Sequence, residues 1–223
     1  MYQKSVKIEQ KIRPPRLPKK MLSKEIHGGS VQYHERYTSL ALTGTDLAGQ
    51  MAIRPAFDES SLTQVRLTAS EFEEIQLDDV RLVGCDLATA SWYKTTWHRV
   101  ELIGCHMTGF LAGEAHLQDV LFKDCLLDLA QFRFATFKSV CFEHCDLHEA
   151  DFLDANMSAL SFVDCNLRHA ELSNTRLAGV DLSTCTIDGA HVGTKELQGA
   201  TLNITQALAL IEAMGITIKS VEA

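Results

Sequence analysis

The sequence contains no uninterrupted apolar run approaching the ~18 residues that a membrane-spanning helix needs. Its basic amino-terminal end also lacks the apolar core of a secretory signal. Seven cysteines in a chain without such a signal favour free thiols in a reducing compartment. These absences predict a cytoplasmic protein without a membrane span.

Motifs that carry catalysis or bind cofactors are missing as well. There is no HExxH, GxSxG, P-loop or dinucleotide-binding motif. The nine histidines show no spacing typical of metal ligands, and paired carboxylates such as Asp78 and Asp79 fall at positions that we expect to face solvent. We therefore predict that the protein is not an enzyme and has no catalytic residue, no cofactor and no metal site.

Positive charge is scarce beyond the first 36 residues. Residues 1–36 contain nine Lys and Arg against three Asp and Glu, whereas the remaining chain contains twelve against twenty-six. Because the nucleic acid backbone is anionic, this acidic body disfavours direct binding of nucleic acid. It favours a basic surface on a protein partner, including a surface built to hold DNA.

The most regular feature of the sequence is a five-residue repeat. A large apolar residue, here called the centre, recurs at every fifth position from Leu42 to Leu202, and only Ala52 and Ala112 are small. A period of five fits neither a helix nor a flat strand, whose periods are 3.6 and 2. It fits a chain that turns a corner after every fifth residue.

A twenty-residue period is superimposed on this repeat. Six of the seven cysteines occupy the position two before a centre, at intervals of twenty: Cys85, Cys105, Cys125, Cys145, Cys165 and Cys185. Four corners per turn explain this interval, and packing as a small interior residue is favoured over a metal ladder or a redox relay. At Phe110 and Ala112 the small and large residues exchange places, which keeps the core volume roughly constant.

The segments ADFLD, CDLHE, CNLRH, AELSN and VDLST match the pattern Ala-(Asp/Asn)-Leu-x-x. Over about residues 40–202 the chain resembles the pentapeptide-repeat family. The resemblance implies an all-β solenoid, a right-handed quadrilateral β-helix with four pentapeptides per coil. At twenty residues per coil we expect about eight coils, stacked ~4.8 Å apart. The glycines at the fifth position of the repeat, such as Gly84 and Gly104, are expected to serve corner geometry.

The repeat divides the chain into three parts: a basic, proline-containing arm at 1–36, the β-helix at 37–202, and a tail at 203–223. In the tail, NITQALALIEAMG predicts a capping helix that begins at Asn203 or Thr205 and ends at Gly215, followed by a short strand. The tail resembles that of gyrase-protecting members, which implies a homodimer; the alternative is a simple end cap. The residues expected at the dimer contact are Leu208, Leu210, Ile211, Met214, Ile216 and Ile218.

The arm contains Pro14, Pro15 and Pro18, which favour an extended chain. Four alternatives remain open for it. It could be a flexible or surface-draped leader, or dock on the acidic rod. It could also be a proline-rich ligand for another domain, or cover the first coil with Ile8, Ile12, Leu17 and Leu22.

Outward-facing residues give two candidate contact surfaces. The acidic set comprises Asp86, Asp146, Asp151, Asp154, Asp164 and Glu171, for which solubility is the alternative explanation. The apolar set comprises Leu121, Leu126 and Leu129, expected near one edge of the rod, where corner packing is the alternative. Cys141 directly precedes a centre, so we expect it to point outward and to be the reactive thiol.

These features support two hypotheses about function. The first is a non-enzymatic module, a rigid acidic rod that binds an unidentified protein partner. The alternative, implied by the resemblance, is a DNA-mimicking protector or inhibitor of DNA gyrase or a related topoisomerase. The basic arm and the absence of a loop inserted into the repeat depart from that second pattern.

Overall fold

The computed structural model describes residues 12–23, 26, 30–213, 215–217 and 219. Its strands are β1 (Leu22–Ser23), β2 (Arg36–Thr38), β3 (Leu40–Thr43), β4 (Met51–Ile53), β5 (Ala56–Asp58), β6 (Ser61–Thr63), β7 (Glu71–Glu73), β8 (Gln76–Val83), β9 (Thr96–Ile103), β10 (His116–Lys123), β11 (Thr136–Glu143) and β12 (Asn156–Val163), and its helix is α1 (Ile204–Ala213).

Strands pair in parallel with the strand one coil away. Leu77 lies beside Trp97, and Trp97 beside Leu117, so pairing advances by twenty residues. Each turn has four sides, named here from residues 81–83 (first), 86–88 (second), 91–93 (third) and 96–98 (fourth) and their equivalents twenty residues apart. β8 to β12 each cover a fourth and then a first side, whereas isolated parallel bridges join most of the second and third sides. The predicted quadrilateral solenoid is confirmed.

The corners between sides use left-handed backbone. One turn contains Gly84, Thr89, Lys94 and Arg99, with φ of 58°, 56°, 55° and 52°. This conformation favours glycine and costs roughly 1–2 kcal/mol for other residues. The expected role of the corner glycines is confirmed, and the same corner recurs at many residues that are not glycine because the stacked coils fix its geometry.

The interior is a continuous core of buried side chains. All six cysteines of the twenty-residue column are buried, and the thiols of the first five lie within hydrogen-bonding distance of backbone carbonyls, as Cys125 does to Lys123 at 3.3 Å. Contacts with the neighbouring sulfurs, together with burial, raise the pKa of Cys105. Phe110 and Ala112 are both buried, and the Phe110 ring lies 5.6 Å from that of Trp92, so the exchange of large and small residues is confirmed.

The number of strand-bearing turns differs slightly from the prediction. Parallel strands connect the layer at residues 36–43 with the layer at 156–163, which amounts to about six turns against the eight coils expected. Beyond Val163 the twenty-residue spacing continues, but it is held by isolated bridges such as Asp181 to Thr201. The residues there form turns, so the period outlasts the strands.

The amino-terminal end of the rod is covered by residues that directly precede the repeat. Ile26 and Val31 are buried, and the Tyr37 ring stacks on Phe57 at 5.0 Å. β1 pairs with β3, so Leu22 contributes backbone to the first layer. Ile12 and Leu17 are only half-buried, and Ile8 lies outside the described residues.

At the other end, α1 closes the last coil. Asn203 and Gln206 bond reciprocally through side chain and backbone at 2.8 and 2.9 Å, a capping box, and Gln206 also donates to the Cys185 carbonyl at 2.7 Å. The short strand predicted after the helix is wrong for the described part of the tail. Gly215 has a φ of 76°, and the Ile216 amide donates to the Ile211 carbonyl of α1. The backbone therefore turns back towards the helix and does not pair as a strand. In the described chain, α1 is too short to traverse a lipid bilayer.

Candidate protein-binding surface

The acidic residues that precede a centre have a structural task. Asp86, Asp146 and Asp151 accept hydrogen bonds from backbone amides two residues ahead, at 3.1, 3.2 and 2.9 Å. Glu171 accepts one from Ser173 at 2.8 Å. Each carboxylate thereby satisfies an amide at the turn of its own side. Part of the acidity of the repeat is thus explained without any partner.

Neighbouring coils supply lateral partners to the same carboxylates. Asp86 lies 3.2 Å from the His106 ring and Glu171 lies 3.2 Å from that of His191. Burial raises the pKa of Glu171, but hydrogen bonds from Ser173 and His191 outweigh it, so this pKa lies below its ordinary value. These contacts run along the rod and give the two carboxylates partners on the next coil.

The six predicted acidic residues do not form one cluster. Asp86 and Asp146 share the second side but are three coils apart, linked through His106 and Leu126. Asp151 and Glu171 are bridged neighbours on the third side. Asp164 and Asp154 stand at the corners before the second side and after the third, both with left-handed backbone. Five of the six therefore gather on two adjoining sides of the carboxyl-terminal half.

Two of the three predicted leucines form an exposed pair. Leu126 is 52% exposed and Leu129 is 48% exposed. Leu126 begins the second side of its coil, and Leu129 lies at the corner that follows this side. We name them the Leu126–Leu129 patch. Leu126 is bridged to Asp146 on the next coil, so the patch borders the acidic set. Leu121 lies in β10 on the first side, half-buried between Glu101 and Cys141, and is not part of this patch.

A second apolar surface was missed from the sequence. Tyr33, Met51, Ile53 and Tyr93 are exposed around a shallow groove of about 340 Å³ on the third side, where Glu71 and Glu73 also line it. Met51, Ile53 and Tyr93 occupy positions of the repeat that face outward. Scanning those positions for large apolar residues would have found them.

A charged ladder at the corner between the fourth and first sides was also missed. Asp79, Arg99 and Asp119 are twenty residues apart and all buried, so the expectation that Asp79 faces solvent was wrong. Arg99 donates to both oxygens of Asp79 at 2.5 Å, and the Arg13 guanidinium lies on Asp119 at 2.5 Å. The signal was available, since alternating charges at a twenty-residue interval predict a ladder once the period is known.

The arm supplies part of this charge balance. Burial raises the pKa of Asp79, but hydrogen bonds from the Arg99 side chain and the Arg16 amide outweigh it, so the pKa lies below its ordinary value. Burial likewise raises the pKa of Asp119, but the hydrogen bonds from Arg13 outweigh it, so this pKa also lies below its ordinary value. The described part of the arm agrees with one of the alternatives predicted for it, docking on the acidic rod.

The structure brings together no chemical site among the residues it describes. No group of three His, Cys, Asp or Glu side chains there is placed to hold a metal ion. Cys141 differs from the expectation of a reactive thiol: it is half-buried and burial raises its pKa, which lowers the thiolate fraction.

The surface is therefore that of a parallel-stranded, four-sided β-solenoid whose outward residues form ladders. Residues 76–152 and 135–209 match the family model of the pentapeptide repeat region, and the chain belongs to this family. No curated protein matches the chain.

Two solved structures illustrate the likeness. One is HetL, a pentapeptide repeat protein involved in heterocyst differentiation regulation from the cyanobacterium Nostoc sp. strain PCC 7120. It is 21% identical over 76% of this chain and 90% of its own, with a TM-score of 0.45. The other is a trypsin-treated variant of QnrB1, a plasmid-mediated fluoroquinolone resistance protein. It is 18% identical over 82% of this chain and 99% of its own, with a TM-score of 0.39. At these identities the likeness concerns the fold alone.

Proposed function

We propose that the chain is a non-enzymatic module that binds a protein partner through the Leu126–Leu129 patch and the acidic residues beside it. The observation that supports this is the pair of half-exposed leucines, of which Leu126 stands at a position where the other coils carry polar residues and Leu129 at a corner where no other coil carries a large apolar residue. Leu126 occupies the column of Asp46, Asp86 and Asp146. Exposed apolar side chains within a charged rim are typical of protein contact sites.

The Leu126→Asp, Leu129→Asp double variant tests this proposal. Aspartate at 126 restores the residue found elsewhere in its column, and aspartate tolerates the left-handed backbone at 129, so we expect an unchanged fold. Tagged wild-type protein should retain a partner from lysate that the double variant loses, with at least a tenfold drop in captured amount. Phe134→Asn, at another corner, is the matched control and should retain it. Identical captured proteins for all three chains would contradict the proposal.

The alternative function, protection or inhibition of DNA gyrase or a related topoisomerase by imitation of DNA, is supported by the charge of the body. The chain beyond residue 36 has twelve Lys and Arg against twenty-six Asp and Glu, and most of it is a stack of parallel coils. A basic groove that holds duplex DNA would attract such a surface.

Replacement of Asp86, Asp146 and Asp151 by asparagine tests the charge requirement. Asparagine keeps an oxygen that can accept the turn hydrogen bond and removes the negative charge, and at residue 151 it also removes the acceptor of Arg133. Purified wild-type protein is expected to inhibit gyrase supercoiling and to rescue gyrase from a quinolone, and the triple variant to do so at least tenfold more weakly. Absence of both effects in the wild type would exclude this function.

We further propose that the tail forms a homodimer contact. Ile204 is 80% exposed, Leu208 and Ile216 are exposed, and Leu210 and Ile211 are half-buried, so α1 presents an uncovered apolar surface. Met214 and Ile218 lie outside the described residues. Sedimentation should give a dimer for the wild type and a monomer for Leu208→Glu. Thr205→Glu adds the same charge to the same helix and should remain dimeric; a monomeric wild type would refute the contact.

A further inference from the structure

The described arm follows one corner of the rod along its axis. The Arg13 guanidinium contacts Asp119 through Nε at 3.0 Å and Nη2 at 2.5 Å, and the Arg16 amide donates to Asp79 at 2.8 Å. The two anchors are three residues apart in the arm and two coils apart on the rod. Three residues of polyproline-type chain span ~9.3 Å and two coils span ~9.6 Å, so an extended arm that follows the corner can reach both anchors, and the Arg13 side chain takes up any difference.

Buried charged side chains line this corner of the rod. Arg99 holds Asp79 from within the rod and also reaches Asp78 at 2.7 Å. Asp119 is only 3% exposed, and its ion pair comes from Arg13 of the arm. The rod therefore presents a carboxylate whose cationic partner is supplied by a separate segment. A segment that covers this carboxylate must also neutralise it, because a carboxylate buried without a cation is costly, so the site favours a segment that brings an arginine.

The arm is held by apolar contacts as well as by the two polar anchors. The Arg13 side chain is 55% exposed, and Pro14 and Arg16 are exposed, whereas Ile12, Pro15, Leu17 and Pro18 are largely covered. Burial of these four apolar side chains therefore contributes to the position of the arm. A segment that places an arginine at Asp119, a backbone amide at Asp79 and proline or apolar side chains beside them could occupy the same corner.

We propose that the corner formed by Asp79, Arg99 and Asp119 is a recognition site for an extended arginine- and proline-containing segment of a partner protein, and that the arm occupies this site within the chain. The arginine side chain fills the Asp119 position, and a backbone amide three residues later meets Asp79. This site lies away from the Leu126–Leu129 patch, on a different corner, and does not depend on it. A partner segment must displace the arm, whose tether gives it a high effective concentration.

The test uses the full chain and a fluorescent peptide with the sequence of residues 12–20, IRPPRLPKK. In the Arg13→Ala, Arg16→Pro variant both anchors of the arm are removed, because proline has no backbone N–H. Fluorescence anisotropy should show the peptide binding at least tenfold tighter to this variant than to the wild type. Adding Asp119→Asn should weaken binding at least tenfold, as should replacing the first arginine of the peptide by alanine.

A second measurement keeps the proposal testable if the variant does not fold. In the wild-type chain, millimolar peptide should accelerate hydrogen exchange of the Arg16 amide, because displacement of the arm breaks its bond to Asp79. The peptide with alanine in place of its first arginine should leave that exchange unchanged. Binding that is insensitive to Asp119→Asn, or absence of both binding and accelerated exchange, would show that the corner is only a seat for the chain's own arm.

Discussion

Replacing Phe142 by alanine is expected to lower the free energy of unfolding by about 3–5 kcal/mol, the usual cost of emptying a buried aromatic position. The Phe142 ring stacks between those of Phe122 and Phe162, with centroids 4.5 and 5.5 Å away, and is fully buried. Neighbouring coils are fixed by backbone pairing on both sides, so the walls can collapse little into the cavity. Urea denaturation followed by circular dichroism measures the loss.

Phe134→Ala provides the control for this prediction. Phe134 is the same residue type eight residues earlier, but it is 55% exposed at the corner between the third and fourth sides, so its loss should change stability by less than about 0.5 kcal/mol. Equal effects at the two positions would mean that the stacked rings do not carry the core. Because each coil contacts only its neighbours, amide exchange should rise mainly in the coils beside Phe142.

Arg99→Ala is expected to cost about 3 kcal/mol at neutral pH, because it leaves the carboxylate of Asp79 buried without its guanidinium partner. The effect should depend on pH in a defined direction. The pKa of Asp79 is lowered in the folded protein, so the pair stabilises the fold above the ordinary aspartate pKa near ~3.9. That stabilisation is lost as pH falls through the lowered value. Urea denaturation at pH 7 and at successively more acidic pH should show the difference between wild type and variant shrinking.

Two further variants separate the buried pair from surface charge. Arg81→Ala breaks an ion pair with Glu101 in which the arginine is well exposed, and it should cost less than about 1 kcal/mol. Adding Asp79→Asn to Arg99→Ala removes the unpaired charge and should recover part of the loss at neutral pH. No recovery would mean that the Arg99 stem, and not its charge, stabilises this corner.

The sequence was sufficient to predict the core and the four sides because both repeat with a period set by local geometry. Every centre from Leu42 to Leu182 that the five-residue count identified is buried, including the exchanged pair at Phe110 and Ala112. If the five-residue register had been assigned one residue out of step, the predicted interior residues of every side would have been surface residues. The cysteine column is interior for the same reason.

Features without a period were predicted less well. The path of the arm is fixed by contacts with Asp79 and Asp119, more than sixty residues away in sequence, and no local pattern encodes it. The tail strand failed because the Ile216 amide bonds back to α1. The acidic surface was predicted as a set, but its hydrogen bonds to turn amides appear only once the backbone is placed. Whether the set contacts a partner remains a prediction.

The corner geometry has a consequence for how this chain can change in length. Removing or duplicating twenty residues inside the repeat would leave every later side chain on its original side, whereas an insertion of five would rotate all later sides by a quarter turn. Between Asp79 and Asp119 such a change would also alter the distance between the two anchors of the arm, at Arg16 and Arg13. A coil added or removed there would require the amino-terminal segment to be repositioned, whereas a coil added or removed beyond Asp119 would leave both contacts in place.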